Sequence, residues 1–256
     1  MIEFKTLLNE QGEKIFVETH TPETVERTIV FCHGITGCRK GRTPADSYFQ
    51  DLAEKLTAFN NKVVLFDYSG HGDSEGESVD VRPSKNALEL EMVFNAEVVD
   101  KNKVDFLVFS YGATVLCEFL KKHTDIIPGK IVAYSPCIYP NESCLLNANS
   151  AFGKDVVGPY ESGEMQKNGF ALVGAKGFKL GYKIIEECKS LTPDYLANFA
   201  SKMLVLSGDA DVILNTKIHA DFCEKHNIKN IWLEGSHSLF ESIDKAFELT
   251  IEHFKN

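Results

Sequence analysis

Short, continuously apolar runs alternate along this chain with segments whose apolar residues recur at helical spacing. The runs predict strands over Glu13–Glu18, Arg27–Cys32, Lys62–Phe66, Val104–Phe109, Lys130–Tyr134, Met203–Leu206 and Ile228–Leu233. Tyr48–Phe59 predicts a helix, with Phe49, Leu52, Ala53, Leu56 and Phe59 on one face. Ser84–Val99, Ala113–Leu120 and Thr216–Lys225 read the same way. So does a C-terminal helix carrying Leu239, Ile243, Ala246, Phe247, Ile251 and Phe254 on one side. Strands that are apolar throughout must be covered on both faces. The expected fold class is therefore α/β, a mostly parallel sheet flanked by helices. Ligands bind such sheets beyond the carboxyl ends of the strands, so those loops carry the candidate chemistry.

Residues 136–200 interrupt the alternation. They hold Pro136, Pro140, Pro159 and Pro193, many Gly and Asn, and mixed periodicity. The stretch is too long for an ordinary connection and reads as a structured insertion, a cap over the carboxyl edge. The expected division is a core of 1–135 and 201–256 with a cap or lid at 136–200. Phe170–Tyr182 within it fits a hairpin.

Composition narrows the class. The chain has 256 residues and a formal net charge of −10, which argues against nucleic acid as a partner. Its seven cysteines show no CxxC spacing, several lie in apolar runs, and a reducing cytoplasm is the expected setting. The N-terminus lacks a signal-peptide core, and no window resembles a membrane span. Metal-ligand spacing such as HExxH is absent, so neither metal nor cofactor is expected. The expected partner is a small-molecule ester, and the expected assembly a monomer or homodimer.

Four strand ends carry chemistry. Val104–Phe109 runs into Ser110-Tyr111-Gly112 and then a helix, so a sharp turn would hold the Ser110 hydroxyl outward. A serine there is also a favoured helix N-cap. Val108 stands where a G-x-S-x-G elbow has its first glycine, and it needs room from a smaller neighbour. The strand Arg27–Cys32 runs into His33-Gly34-Ile35-Thr36-Gly37. Backbone N–H groups of Ile35 and Tyr111 are the candidate oxyanion donors, Thr36 is a candidate substrate contact, and His33 is assigned to its own loop. Met203–Leu206 runs into Ser207-Gly208-Asp209-Ala210-Asp211, where one acid serves the turn and the other orients a histidine; Asp209 is assigned the turn and Asp211 the histidine. Of the eight histidines, His237 alone combines a late position, a strand-end loop and a following helix. Ser, Asp and His thus follow three strands in that order.

On these residues the chain resembles the α/β-hydrolases. His33-Gly34-Ile35-Thr36-Gly37 looks like the family's HGxxG loop. Asp67-Tyr68-Ser69-Gly70-His71-Gly72-Asp73-Ser74 is similar to its D-x-x-G-x-G-x-S loop. Gly208–Asp211 resembles the acid turn, and Gly235-Ser236-His237 the histidine loop. Within the family the chain is most similar to cinnamoyl (feruloyl) esterases, and next to monoacylglycerol-lipase-like enzymes. The resemblance implies an α/β-hydrolase fold with a cap after the sixth strand and a Ser110–His237–Asp211 triad.

The expected activity is a serine esterase acting on small or aromatic acyl esters through an acyl-enzyme. An acyl thioesterase or peptidase with the same residues is the alternative, and a non-enzymatic receptor a third. Phe152, Tyr160, Phe170 and Phe178 are candidate pocket aromatics, or else the cap's own core. Arg39, Lys40 and Arg42 are read as a solvated loop, with recognition of an acidic substrate group as the other possibility.

Overall fold

The computed structural model describes residues 1–41, 48–175 and 177–255. Its main sheet is built from β1 (Ile2–Leu8), β2 (Lys14–His20), β3 (Arg27–Cys32), β4 (Asn61–Phe66), β5 (Val104–Phe109) and β6 (Ile131–Tyr134). After a small hairpin of β7 (Phe170–Val173) and β8 (Phe178–Gly181) the chain returns to it with β9 (Met203–Gly208) and β10 (Lys229–Leu233). The order is β1-β2-β4-β3-β5-β6-β9-β10. β1–β2 and β2–β4 are antiparallel, and every later pairing is parallel. This is the α/β-hydrolase fold.

The helices are α1 (Tyr48–Thr57), α2 (Pro83–Glu97), α3 (Gly112–Lys122), α4 (Gly153–Glu161), α5 (Glu164–Asn168), α6 (Tyr182–Cys188), α7 (Thr216–Lys225) and α8 (Ile243–Lys255). Alternate strand residues feed two cores, as the pleat requires. Ile29, Phe31, Leu107, Phe109, Leu204 and Leu206 pack with α1 and α8. Val30, Cys32, Phe106, Val108, Ala133 and Val205 pack with α2, α3 and α7 on the other face. Both faces of the parallel strands are buried, which is why their sequences are apolar without alternation.

Two local differences from the sequence reading have simple causes, and one expectation finds its explanation. β1 has no counterpart there, because it is an edge strand whose residues are almost all exposed and carry no burial pattern. Leu239 lies before α8, in a left-handed turn at φ 57°, yet it is buried in the same core. Val108 finds its room: its cross-strand partners are Cys32 on β3 and Ala133 on β6, both small.

Between β6 and β9 the chain forms a π-helical turn at Asn141–Leu145, then α4, α5, the β7–β8 hairpin and α6. Two contacts fasten this segment to the sheet layer. Gly181 lies against Val79, where a Cβ would come within 1.9 Å of the carbonyl oxygen, and Ser78 Oγ donates to the Lys179 carbonyl at 3.1 Å. Further along, the Glu187 carboxylate accepts from the Ser84 N–H and hydroxyl at the start of α2. Among the described residues no helix is long and apolar enough to cross a membrane.

Candidate functional site

The turn between β5 and α3 is under backbone strain. Ser110 has φ 51°, a left-handed conformation that costs an ordinary residue about 1–3 kcal/mol unless its surroundings impose it. They do. The Ser110 N–H donates to the Tyr134 carbonyl at 2.9 Å, and the Ser110 carbonyl accepts from Cys137 N–H at 2.9 Å and Ala113 N–H at 3.1 Å. Gly112 packs so closely on β3 that a Cβ would lie 2.0 Å from the Cys32 carbonyl oxygen. The N-cap position of α3 falls on Tyr111, and no side chain caps the helix, so the capping role open to Ser110 is not used.

Gly34, in the loop after β3, faces this turn; a Cβ there would sit 3.2 Å from Ser110 Cβ. The backbone N–H groups of Ile35 and Tyr111 donate to no other described residue. Both residues, with Thr36 at φ 64°, line the cavity beside Ser110. His33 points away from it. Tyr68 N–H donates to His33 Nε2 at 3.1 Å, which leaves Nδ1 as the donor to the Gly34 carbonyl at 2.8 Å. Burial pushes its pKa down to about 4, so His33 is a neutral strut of its loop.

The two acids after β9 separate. Asp211 Oδ2 lies 2.7 Å from His237 Nδ1, while its Oδ1 accepts from the Ile213 and Leu214 N–H groups at 2.8 and 3.1 Å. Burial alone would raise the Asp211 pKa. The hydrogen bond and charge of His237 with those N–H groups outweigh it and hold the carboxyl below its ordinary value. Asp209 instead accepts from the Gly235 N–H at 3.0 Å, and the Ala210 N–H donates back to the Gly235 carbonyl at 2.9 Å. Asp209, assigned to the turn, thereby also ties the acid loop to the histidine loop.

Ser110, His237 and the loop residues Ile35 and Thr36 open on one cavity of about 420 Å³. Phe109 packs beside His237 with ring centroids 5.1 Å apart. The far wall comes from the segment between β6 and β9: Cys144, Leu145, Phe152, Val173, Phe178 and Ile184. Among the described residues of the lining, His237 is the only one that can carry charge outside its thiols and phenol. No cluster of three or more His, Cys, Asp or Glu side chains among the described residues is placed to hold a metal ion.

Some candidates lie elsewhere. Phe152 and Phe178 line the cavity, but Tyr160 does not: it stacks on Tyr182 and donates to Glu186. Phe170 sits under Lys179, outside the cavity. Arg39 is no solvated loop residue. It is buried and bonded to Glu18 at 2.9 Å, Asp67 at 2.6 Å and Asp73 at 2.8 Å, so it is not available to an acidic substrate group. Lys40 pairs with Asp73, and Arg42 falls outside the described residues. The sequence reading also missed Asn86, which receives the Tyr111 hydroxyl at 2.8 Å. Nothing in a mid-helix asparagine signals such a contact.

Known structures share this architecture. A putative hydrolase from Agrobacterium vitis S4 superposes with a TM-score of 0.77 at 20% identity, covering 99% of each chain. Est1E from Butyrivibrio proteoclasticus, solved with ferulic acid bound, gives 0.73 at 17% identity over 98% of this chain and 97% of its own. The esterase EaEST from Exiguobacterium antarcticum gives 0.69 at 16% identity over 99% and 100%. A search of the curated proteins found no match. The family described as serine aminopeptidase, S33 matches residues 23–158, more than half of the chain, from the approach to β3 through the strained serine and into the following insertion. With that match and its fold, this chain belongs to the serine aminopeptidase S33 family of α/β-hydrolases.

Proposed function

We propose that the protein is a serine esterase in which Ser110 is the nucleophile, His237 the general base and Asp211 its orienting acid. The reading rests on one observation. Asp211 holds His237 Nδ1 at 2.7 Å, which leaves Nε2 without a hydrogen-bond partner among the described residues, and that imidazole opens on the same cavity as the strained Ser110. His237 takes the Ser110 proton as Oγ bonds to the ester carbonyl carbon. The oxyanion then lies against the N–H groups of Ile35 and Tyr111, each worth about 3 kcal/mol in comparable sites. The C–O bond to the alcohol breaks and His237 returns the proton to it. Water, deprotonated by the same base, then releases the acid from Ser110. Thr36 borders the substrate beside the oxyanion loop.

The cavity wall selects among acyl substrates. An aminopeptidase needs a carboxylate for the substrate ammonium, and a CoA ester needs cations for its phosphates. The described lining offers neither, which favours a neutral ester with an apolar or aromatic acyl group over the thioesterase and peptidase alternatives. We assign residues 136–200 the role of cap, since they supply the far wall. All seven cysteines are free thiols, which supports a reducing, cytoplasmic setting.

The test is a panel of p-nitrophenyl butyrate, feruloyl esters, acyl-CoAs and aminoacyl anilides, with a fluorophosphonate probe for the nucleophile. Neutral esters should turn over and the probe should label Ser110. Ser110→Ala should lose both while keeping its thermal transition. Undiminished turnover in that variant ends the assignment, and preference for acyl-CoA or aminoacyl anilide would move it to the corresponding alternative.

A further inference from the structure

The interior side of the Ser110 turn holds a hydrogen-bonded chain that no step of the reaction above uses. Tyr111 follows the nucleophile, and although it borders the cavity its side chain is buried in the core. Its hydroxyl donates to Asn86 Oδ1 on α2 at 2.8 Å. Asn86 Nδ2 donates in turn to Glu89 Oε2 at 2.9 Å, which also accepts the Ser69 N–H at 3.1 Å. The second Glu89 oxygen accepts from Asn9 Nδ2 at 3.2 Å. Tyr111, Asn86 and Glu89 are all buried.

The position of this chain matters because of what it holds. Ser110 sits at φ 51°, and the peptide joining Ser110 to Tyr111 carries the candidate oxyanion N–H. A strained peptide keeps its orientation only where its neighbours over-determine it. On the Ser110 side, the backbone bonds to Tyr134 and Cys137 supply that constraint. On the Tyr111 side, the one side-chain anchor among the described residues is the phenol on Asn86. Asn86 cannot swing away, because its own amide is held by the Glu89 carboxylate, which is fastened at both oxygens. A buried network satisfied at each member is rigid, and one cut at any member loses that rigidity.

We propose that Asn86, held by Glu89, is a positioning residue that fixes the Tyr111 N–H in the oxyanion hole through the Tyr111 phenol. This rests on the serine-esterase reading. A donor aimed at the oxyanion acts on the transition state and leaves ground-state binding nearly unchanged. Loosening the anchor therefore lowers kcat and spares KM.

The test uses Tyr111→Phe, Asn86→Ala and the double variant in the full chain, assayed with p-nitrophenyl butyrate at a temperature well below each thermal transition. Inhibition by a trifluoromethyl ketone, which forms a tetrahedral adduct with the serine, gives a second readout. Tyr111→Phe is expected to lower kcat about tenfold with KM within twofold, and to weaken the ketone in proportion. The double variant is expected to be no slower than the worse single, because both cuts sever one chain. Retained kcat and ketone affinity in Tyr111→Phe would overturn the proposal, as would single losses that multiply in the double variant. Where Asn86→Ala does not fold, Tyr111→Phe decides alone. Fluorophosphonate labelling of Ser110 in the unmodified protein keeps failure of this inference separate from failure of the esterase reading.

Discussion

Asp211 divides its two carboxylate oxygens between two tasks: Oδ2 meets His237 Nδ1 at 2.7 Å, and Oδ1 is pinned by the N–H groups of Ile213 and Leu214. The backbone bonds fix the acid, and the fixed acid selects the tautomer of the imidazole. Asp211→Asn would keep the shape and present the wrong hydrogen to His237. We expect kcat for p-nitrophenyl butyrate to fall by about 10⁴-fold with the fold intact. Asp209→Asn should lose less than about tenfold, since Asp209 holds only the Gly235 N–H. Equal losses in the two variants would contradict the division of roles.

Acid should unfold this protein through its histidines. Burial pushes His33 to about 4, His71 to about 3 and His219 to about 4, from an ordinary 6.5. Each folded pKa is depressed, so each group's stabilisation is complete above pH 6.5 and is lost as pH falls toward the folded value. In that window the unfolded chain binds protons that the folded chain refuses, at about 1.4 kcal/mol per pH unit for each histidine. Urea midpoints should drop steeply between pH 6.5 and 4.5. A flat response there would refute the buried, neutral state of these rings.

Arg39 is enclosed by Glu18, Asp67 and Asp73, and its guanidinium lies 4.1 Å from the centre of the Phe16 ring. Arg39→Met would leave Glu18 and Asp67 buried without their cation. The expected cost is about 3–5 kcal/mol in urea unfolding, typical of a buried pair cut on one side. A loss under about 1 kcal/mol, as a surface charge would give, would show that the cluster relaxes around the gap.

Two glycines should differ sharply in their response to alanine. At Gly112 the new Cβ would lie 2.0 Å from the Cys32 carbonyl oxygen, so α3 and β3 must separate. We expect at least about 1–3 kcal/mol of destabilisation and loss of esterase activity. Gly158 lies within α4, and apart from its chain neighbours nothing lies within 4 Å of a Cβ there. Gly158→Ala should change stability by less than about 1 kcal/mol, because the helical gain of alanine is set against the clash of its Cβ with the following Pro159 ring. Thermal transitions of the two variants check the contrast.

The parts legible in the sequence are those whose neighbours are close in the chain. Apolar strands and one-sided helices announce themselves, because burial on two faces or one face leaves a periodic record. The strand-end loops bearing Ser110, Asp211 and His237 could be found from the glycines and acids that make them turn. β1 left no such record, being exposed along nearly its whole length. Arg39 was misread because its partners come from residues 18, 67 and 73, and distant charges that meet in the core look like solvated ones in the sequence. Asn86 was missed for the same reason, its partner Tyr111 lying on another element. The fate of Tyr160 and Phe170 depended on how α4 and the β7–β8 hairpin pack, which local pattern does not encode.

The cavity draws its two walls from different stretches of chain, strand-end loops on one side and the segment between β6 and β9 on the other. On the proposed esterase reading, reactivity and selectivity would be inherited separately. A graft of another relative's segment, joined after Tyr134 and before Met203, should change which acyl groups are admitted without disturbing how the bond is broken.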